Sequence, residues 1–244
     1  MSARRRALVT GGGSGIGLAI ANALKDAGHD VAIAGRDETR LKAAGHSYFI
    51  VDVTDDASIA AMAASAGPID IFVNNAGFAA TAPSLKTSRA QWDAMIALNL
   101  TSAFACAQAF APAMIARGWG RFIAIASTAS HKAYAYTGAY AAAKHGVLGW
   151  VKTLALEHAT SGVTFNAVCP GFTDTPLIKG ALDRLAAKSG GDRDAAKSTL
   201  AAVNPMRRLV APEEVAAAVV YLSSDGAASV NGQSLVIDGG ELIS

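Results

Sequence analysis

The sequence predicts one α/β domain built on a doubly wound parallel sheet, and three observations carry that prediction. Short apolar runs alternate with helical stretches along all 244 residues, the order expected of successive βαβ units. The chain is 52% hydrophobic and 16% charged, enough for a sheet covered on both faces. The glycine cluster at 11–17, Arg36, Asp52, Asn75, Ser127 and Pro170 each fall where an apolar run ends. In an open parallel sheet, ligands bind at the carboxyl ends of the strands.

The elements follow in order. Ala7-Leu8-Val9 reads as a buried strand entering TGGGSGIG, with Gly11, Gly15 and Gly17 spaced GxxxGxG. Such glycines permit a tight turn and bring backbone N–H groups close to a pyrophosphate. The helix begun by Ile16 and Gly17, just past Ser14, turns its positive end toward the same anion. Gly28 ends that helix, and Val31–Ala34 form the second strand, closing on Gly35-Arg36-Asp37. Gly35 leaves room beside an adenosine ribose, so Arg36 either grips a 2′-phosphate or stacks on the adenine ring. Asp37, next to it, weakens the phosphate reading. A short helix at 38–44 leads to the strand Tyr48–Val51, which ends at Asp52-Val53. Asp52 either meets the adenine amino group or caps the helix at 56–65. Pro68 separates that helix from the strand Ile69–Val73, which runs into Asn74-Asn75-Ala76-Gly77. There Asn75 is placed either to tie neighbouring strands at the crevice or simply to turn the chain.

A polar loop at 79–90 precedes one long predicted helix from Arg89 to Ala116. Asn99 sits in its middle between Leu98 and Leu100. Asn is a poor interior helix residue, so it either has a job or marks a local break. Arg121–Ala126 form the fifth strand and deliver Ser127. The helix at 138–160, the strand Val163–Val168 ending at Cys169-Pro170-Gly171, and a segment at 176–205 follow. That segment carries dispersed charge and a hinge-like Ser189-Gly190-Gly191, and reads as short mobile helices over a site. A helix opening on Pro212 and the strand Ser234–Ile237 complete the pattern.

The run YAAAK places Tyr140 and Lys144 four residues apart on an Ala-rich helix, where i and i+4 share a face. A cation beside a phenol favours the phenolate and lowers its pKa, giving a proton donor or acceptor usable nearer neutral pH. Ser127 stands thirteen residues upstream at a strand end. Together the three side chains make a plausible carbonyl site.

Composition narrows the rest. A net charge of +2 with mixed signs does not suggest nucleic acid as a partner. Arg4-Arg5-Arg6 is followed by no apolar leader segment, and no stretch reads as transmembrane. Cys106 and Cys169 form no CxxC, and the five His show no ligand spacing. The expectation is a reduced, cytoplasmic protein with no metal.

From TGGGSGIG through NNAG, Asn99, Ser127, YAAAK and PGFTDT to the closing Gly239-Gly240, the chain resembles the short-chain dehydrogenase/reductase family. The resemblance implies a single seven-stranded Rossmann domain over residues 1–244, with a mobile substrate loop near 176–205. It also implies a nicotinamide cofactor and a homotetramer built through the helices at 89–116 and 138–160. Carried over by position, Tyr140 is the general acid, Ser127 binds the carbonyl, and Lys144 holds the ribose hydroxyls and acidifies Tyr140. Asn99 kinks its helix around a proton-relaying water. Cofactor contacts fall to Gly11, Ser14, Gly15, Ile16, Gly17, Arg36, Asp52, Val53, Asn75, Ala76 and Gly77. They continue through Tyr140, Lys144, Pro170, Gly171, Thr173 and Thr175, with Thr173 facing the carboxamide.

Arg36 favours NADP(H), with NAD(H) possible, since position 14 is Ser where many NADP-dependent relatives are basic. The expected substrate is a small carbonyl compound or alcohol, foremost a 3-oxoacyl thioester on CoA or an acyl carrier. The alternatives are an NAD-dependent hydroxy-acid dehydrogenase and a non-catalytic nucleotide-binding protein. In the hydroxybutyrate branch a His is expected two residues after the Ser, where this chain has Ala129. His131 and Lys132 would meet an anionic substrate or be solvated. Tyr134 and Tyr136 would line an apolar pocket.

Overall fold

The computed structural model describes residues 4–178, 182–183, 186–187 and 190–243. Seven parallel strands form one sheet: β1 (Arg6–Thr10), β2 (Asp30–Gly35), β3 (Ser47–Ile50), β4 (Ile71–Asn74), β5 (Gly120–Ile125), β6 (Val163–Pro170) and β7 (Ser234–Ile237). Their spatial order is β3-β2-β1-β4-β5-β6-β7. The order reverses between β1 and β4, which pair through Ala7–Ile71, Leu8–Phe72 and Val9–Val73. A crevice opens at the carboxyl ends of these two strands.

Alternation along the strands sends side chains to two cores. Leu8, Phe72, Phe122 and Phe165 face one side, where Phe72 stacks on Phe110 at 4.5 Å and on Phe122 at 5.4 Å. This side is covered by α3 (Asp56–Ala66), α5 (Ser102–Arg117) and α6 (Gly138–Glu157). Ala7, Val9, Ile33, Ile71 and Ile123 face the other side, under α1 (Gly15–Asp26) and α8 (Pro212–Ser223). The short α2 (Glu38–Ala43) adds Leu41 to that second core.

The predicted rod from Arg89 to Ala116 is helical throughout but not uniform. α4 (Arg89–Ile96) opens with a Ser88–Gln91 capping box and passes through a π turn at Ala97–Thr101 into α5. Asn99 lies in the π turn, the local break its position suggested. By length and apolarity the span 89–117 would qualify as a membrane helix. It is instead a core helix, burying Ala103, Cys106, Ala107, Phe110 and Met114.

Beyond β6 the chain makes a 3₁₀ turn at Pro176–Ile178 and then α7 (Arg193–Ala201). Ile178, Leu182, Ala186, Ala196, Leu200 and Leu209 bury a small apolar cluster there, against Phe172. Ser189 of the predicted hinge lies outside the described residues. Gly190 and Gly191 adopt φ of 72° and 92°, left-handed values that favour glycine.

Candidate active site

The crevice is walled by the turns that leave β1 and β4. Gly11 takes φ of 66° and Gly15 of 55°. A Cβ on Gly17 would stand 2.3 Å from the Gly11 carbonyl oxygen and 2.5 Å from Asn75 Nδ2, so only glycine fits. The Asn75 amide donates to Thr10 O at 2.9 Å, fastening the end of β4 to the glycine turn. Thr10 completes the joint: its buried hydroxyl accepts the N–H groups of Asn75 and Ala76, both at 3.0 Å. Nothing in the sequence pattern singled Thr10 out, because its role depends on a neighbour 65 residues away.

Ser14 occupies the N-cap position of α1, but its hydroxyl caps nothing, and no acidic side chain stands in the first turn. The leading N–H groups of the helix are thereby left for an anion. Thr175 stands over this turn, 3.4 Å from where a Gly15 Cβ would be. The cradle and the uncommitted helix start fit a dinucleotide pyrophosphate.

At the end of β2, Arg36 is largely exposed and lies 3.7 Å from the Asp52 carboxylate. Asp37 is turned away: Oδ1 accepts the Arg40 N–H at 3.1 Å, capping α2, and Oδ2 pairs with Arg40 Nε at 3.0 Å. Arg40, absent from the sequence-derived set, packs against the glycine turn, its Cβ 3.3 Å from where a Gly13 Cβ would be. Asp52 does not cap α3, since Asp55 does. Asp52 instead accepts from Thr54 N and Oγ1 at 2.9 and 2.7 Å, which with Arg36 holds its carboxyl below the usual range. Val53 is buried in the core beside it.

On the β5–β6 side, Ser127 begins a 3₁₀ turn. Its oxygen accepts the Ala129 N–H at 3.1 Å, and the side chain stands near enough to the Tyr140 phenol to pull that group's pKa down. Lys144 is buried and donates to Ile125 O at 2.8 Å, with Nζ 5.8 Å from the centre of the Tyr140 ring. One expectation changes here. Burial pushes the Tyr140 pKa up, with the Ser127 hydrogen bond pulling only partly the other way. Burial also pulls Lys144 down to about 8. The predicted acidification of Tyr140 by Lys144 is absent, because a low-dielectric site favours the neutral form of both groups.

Asn99 closes the π turn by donating to Phe78 O at 3.0 Å and Met95 O at 3.1 Å. Its Oδ1 is buried and has no partner among the described residues. A Cβ on Gly77 would lie 2.7 Å from this oxygen and 3.7 Å from Lys144 Nζ. Asn99 and Lys144 thus flank one point beside Gly77.

Beyond β6, Thr173 is buried and donates to Gly171 O at 3.0 Å. Lys132, considered above for meeting anions, is already paired with the buried Glu241 carboxylate at 3.0 Å. Tyr134 donates its hydroxyl proton to that same carboxylate, accepts from Thr128 Oγ1, and packs edge-on against Phe172. His131 is exposed, with its pKa lowered first by partial burial and then by Lys152 and His145. Neither residue offers a free cation at neutral pH. Among the described residues no His, Cys, Asp and Glu cluster has the makings of a metal site.

The structure therefore gathers the glycine turn, Asn75–Gly77, Ser127, Tyr140, Lys144, Asn99 and the Pro170–Thr175 loop along one edge of the sheet. Arg36, Asp52 and Val53 sit at its β2–β3 flank. Two hydroxyls converge beside a buried amine, an arrangement able to donate hydrogen bonds to one oxygen and a proton to it.

This fold and site define a nucleotide-binding oxidoreductase, and comparison with known proteins gives its family. Residues 11–241 match the family model described as enoyl-(acyl carrier protein) reductase. The chain is 41% identical to D-beta-hydroxybutyrate dehydrogenase of Cupriavidus necator, over 97% of both chains. It is 38% identical to acetoacetyl-CoA reductase of Rhizobium meliloti, over 97% of this chain and 98% of that one. A crystal structure of an actinorhodin polyketide ketoreductase variant with NADPH superposes with a TM-score of 0.93 at 35% identity, covering 99% of each chain. The protein belongs to the short-chain dehydrogenase/reductase family, whose members bind NAD(P).

Proposed function

We propose that the protein is an NADP(H)-dependent reductase of uncharged ketones, with 3-oxoacyl thioesters as the leading substrate class. The observation that carries the reaction type is the Ser127–Tyr140 hydroxyl pair beside buried Lys144. When bound, the reduced nicotinamide supplies the hydride. Ser127 holds the ketone oxygen, and Tyr140 passes its proton to that oxygen as negative charge grows there. A phenol kept protonated by burial suits this donor role. Lys144 binds the ribose hydroxyls, and Asn99 with Lys144 frames the route by which Tyr140 regains its proton. Thr173 meets the carboxamide, and the described residues of the segment 176–205 cover the substrate.

The NADP preference rests on Arg36, exposed at the end of β2, and Arg40, packed on the glycine turn, while Asp37 is spent on capping α2. An NAD-dependent hydroxy-acid dehydrogenase is the second reading, favoured by the 41% identity to D-beta-hydroxybutyrate dehydrogenase. Ala129 and the neutralised Lys132 count against it, since a free carboxylate would find no cation there. We infer a cytoplasmic homotetramer joined through the α4–α5 rod and α6, whose surfaces leave Trp92, Phe104 and Leu156 exposed.

Fluorescence titration with NADPH and NADH, together with turnover on acetoacetyl-CoA and a ketone panel, tests the reading. The expected result is NADPH preference, with Arg36→Ala and Arg40→Ala each weakening NADPH by about tenfold and NADH little. A preference for NADH that both variants leave unaltered selects the second reading. Absence of turnover with every ketone overturns both.

A further inference from the structure

Tyr136 holds a backbone conformation that tyrosine avoids. Thr137 N–H donates to Tyr134 O at 3.3 Å, closing a four-residue turn with Tyr136 at its third position. Its φ is 68°, a value suited to Gly or Asn and an outlier for a bulky side chain. The residue is 60% exposed, and no side-chain hydrogen bond holds it among the described residues. The turn is pinned from across the cleft, where Ala82 N–H donates to Tyr136 O at 2.9 Å.

The two segments so joined enclose a groove whose walls include Ala80, Ala82, Gln91, Met95, Tyr136 and Ala139. Among the described residues no Asp, Glu, Lys or Arg lines it. Met95 at one side touches the Asn99 amide, and Ala139 adjoins Tyr140. The groove therefore runs beside the start of the helix that carries the proton donor, and its described lining offers uncharged contact. A backbone strained to hold an aromatic ring beside it points to a contact with something outside the chain.

We propose that Tyr136 is a specificity-determining residue, its ring packing against an uncharged apolar arm of the ketone laid in this groove. The inference rests on the ketone-reductase reading and adds to it the side of the site that selects the arm. The experiment measures NADPH-dependent kcat/KM for a methyl ketone and a phenyl ketone of otherwise matched structure. Wild type is compared with Tyr136→Phe, Tyr136→Ala and Tyr136→Gly, and Tm is recorded for each. Phe should preserve the preference for the phenyl ketone. Ala and Gly should both lower it by about tenfold, while Gly, relieved of the left-handed strain, melts about 2–4 °C above Ala.

A phenyl-to-methyl ratio unchanged in both Ala and Gly variants overturns the inference while leaving the reductase reading intact. A ratio lost in Ala but kept in Gly also overturns it, since the turn and not the ring would then set the preference. A wild-type protein that turns over acetoacetyl-CoA but neither of these ketones overturns this inference alone, and one inactive on all three overturns the reductase reading and this inference with it.

Discussion

At the scale of single residues, Lys144 shows how function opposes stability. Its ammonium lies in the protein interior, and among the described residues its hydrogen-bond partner is the Ile125 carbonyl at 2.8 Å. The sign of the pH dependence follows directly. The folded chain releases this proton near pH 8 and the unfolded chain near 10.5. Between those values the unfolded state binds more protons, so wild-type stability rises with pH across that window. Below it the buried charge costs on the order of 3 kcal/mol at most. Lys144→Met should therefore melt above wild type at pH 7, lose that advantage between pH 8 and 10.5, and be inactive. Thermal melts across pH check the first two outcomes and a turnover assay the third. Tyr140→Phe should keep the fold and lower kcat by about 10²–10⁴-fold, measured at saturating cofactor.

At the scale of elements, the glycine turn and the π turn play opposite parts. The first is defined by absent side chains. Gly17→Ala puts a methyl 2.3 Å from Gly11 O, and either α1 or the end of β4 must move. The expected outcome is loss of saturable NADPH binding with destabilisation of about 1–3 kcal/mol, read by fluorescence titration and denaturant unfolding. The π turn is held by a present side chain. Asn99→Ala removes the donors to Phe78 O and Met95 O, a loss of about 1–3 kcal/mol if both carbonyls stay dry. The same denaturant titration measures it.

At the scale of the whole molecule, the C-terminal turn ties together the loops that follow β5 and β6. Buried Glu241 takes up Lys132 and Tyr134 from the loop between Ser127 and Tyr140. Its Oε2 also lies 3.0 Å from where a Gly171 Cβ would be, so it presses on the loop after β6. Lys132→Met withdraws the cation from a buried carboxylate. The expected cost is about 2 kcal/mol, less than for a fully buried pair because Lys132 is partly exposed. Chemical denaturation checks it, and an unchanged midpoint would mean that the pair contributes nothing.

Much of this was legible before any coordinates. The seven strands, the glycine turn, Asn75 and the Ser127–Tyr140–Lys144 set follow from apolar runs, glycine spacing and an i, i+4 pair, all local patterns. The partners of Thr10, the diversion of Asp37 to Arg40, the occupation of Lys132 by Glu241 and the strain at Tyr136 were not. Each depends on segments brought together by the sheet, as with Lys132 and Glu241, 109 residues apart, or on a dihedral angle that residue identity does not reveal. The direction of the Tyr140 and Lys144 shifts belongs with these. Proximity on a helix can be read from spacing, but the dielectric around the pair is set by the burial that only packing creates. Sequence alone thus determined which chemistry is available and where along the strands it lies, because short-range sterics and periodicity encode both. Tertiary structure alone decided which of those groups remain free to use it, since charge and hydrogen-bonding capacity are consumed by neighbours distant in the chain.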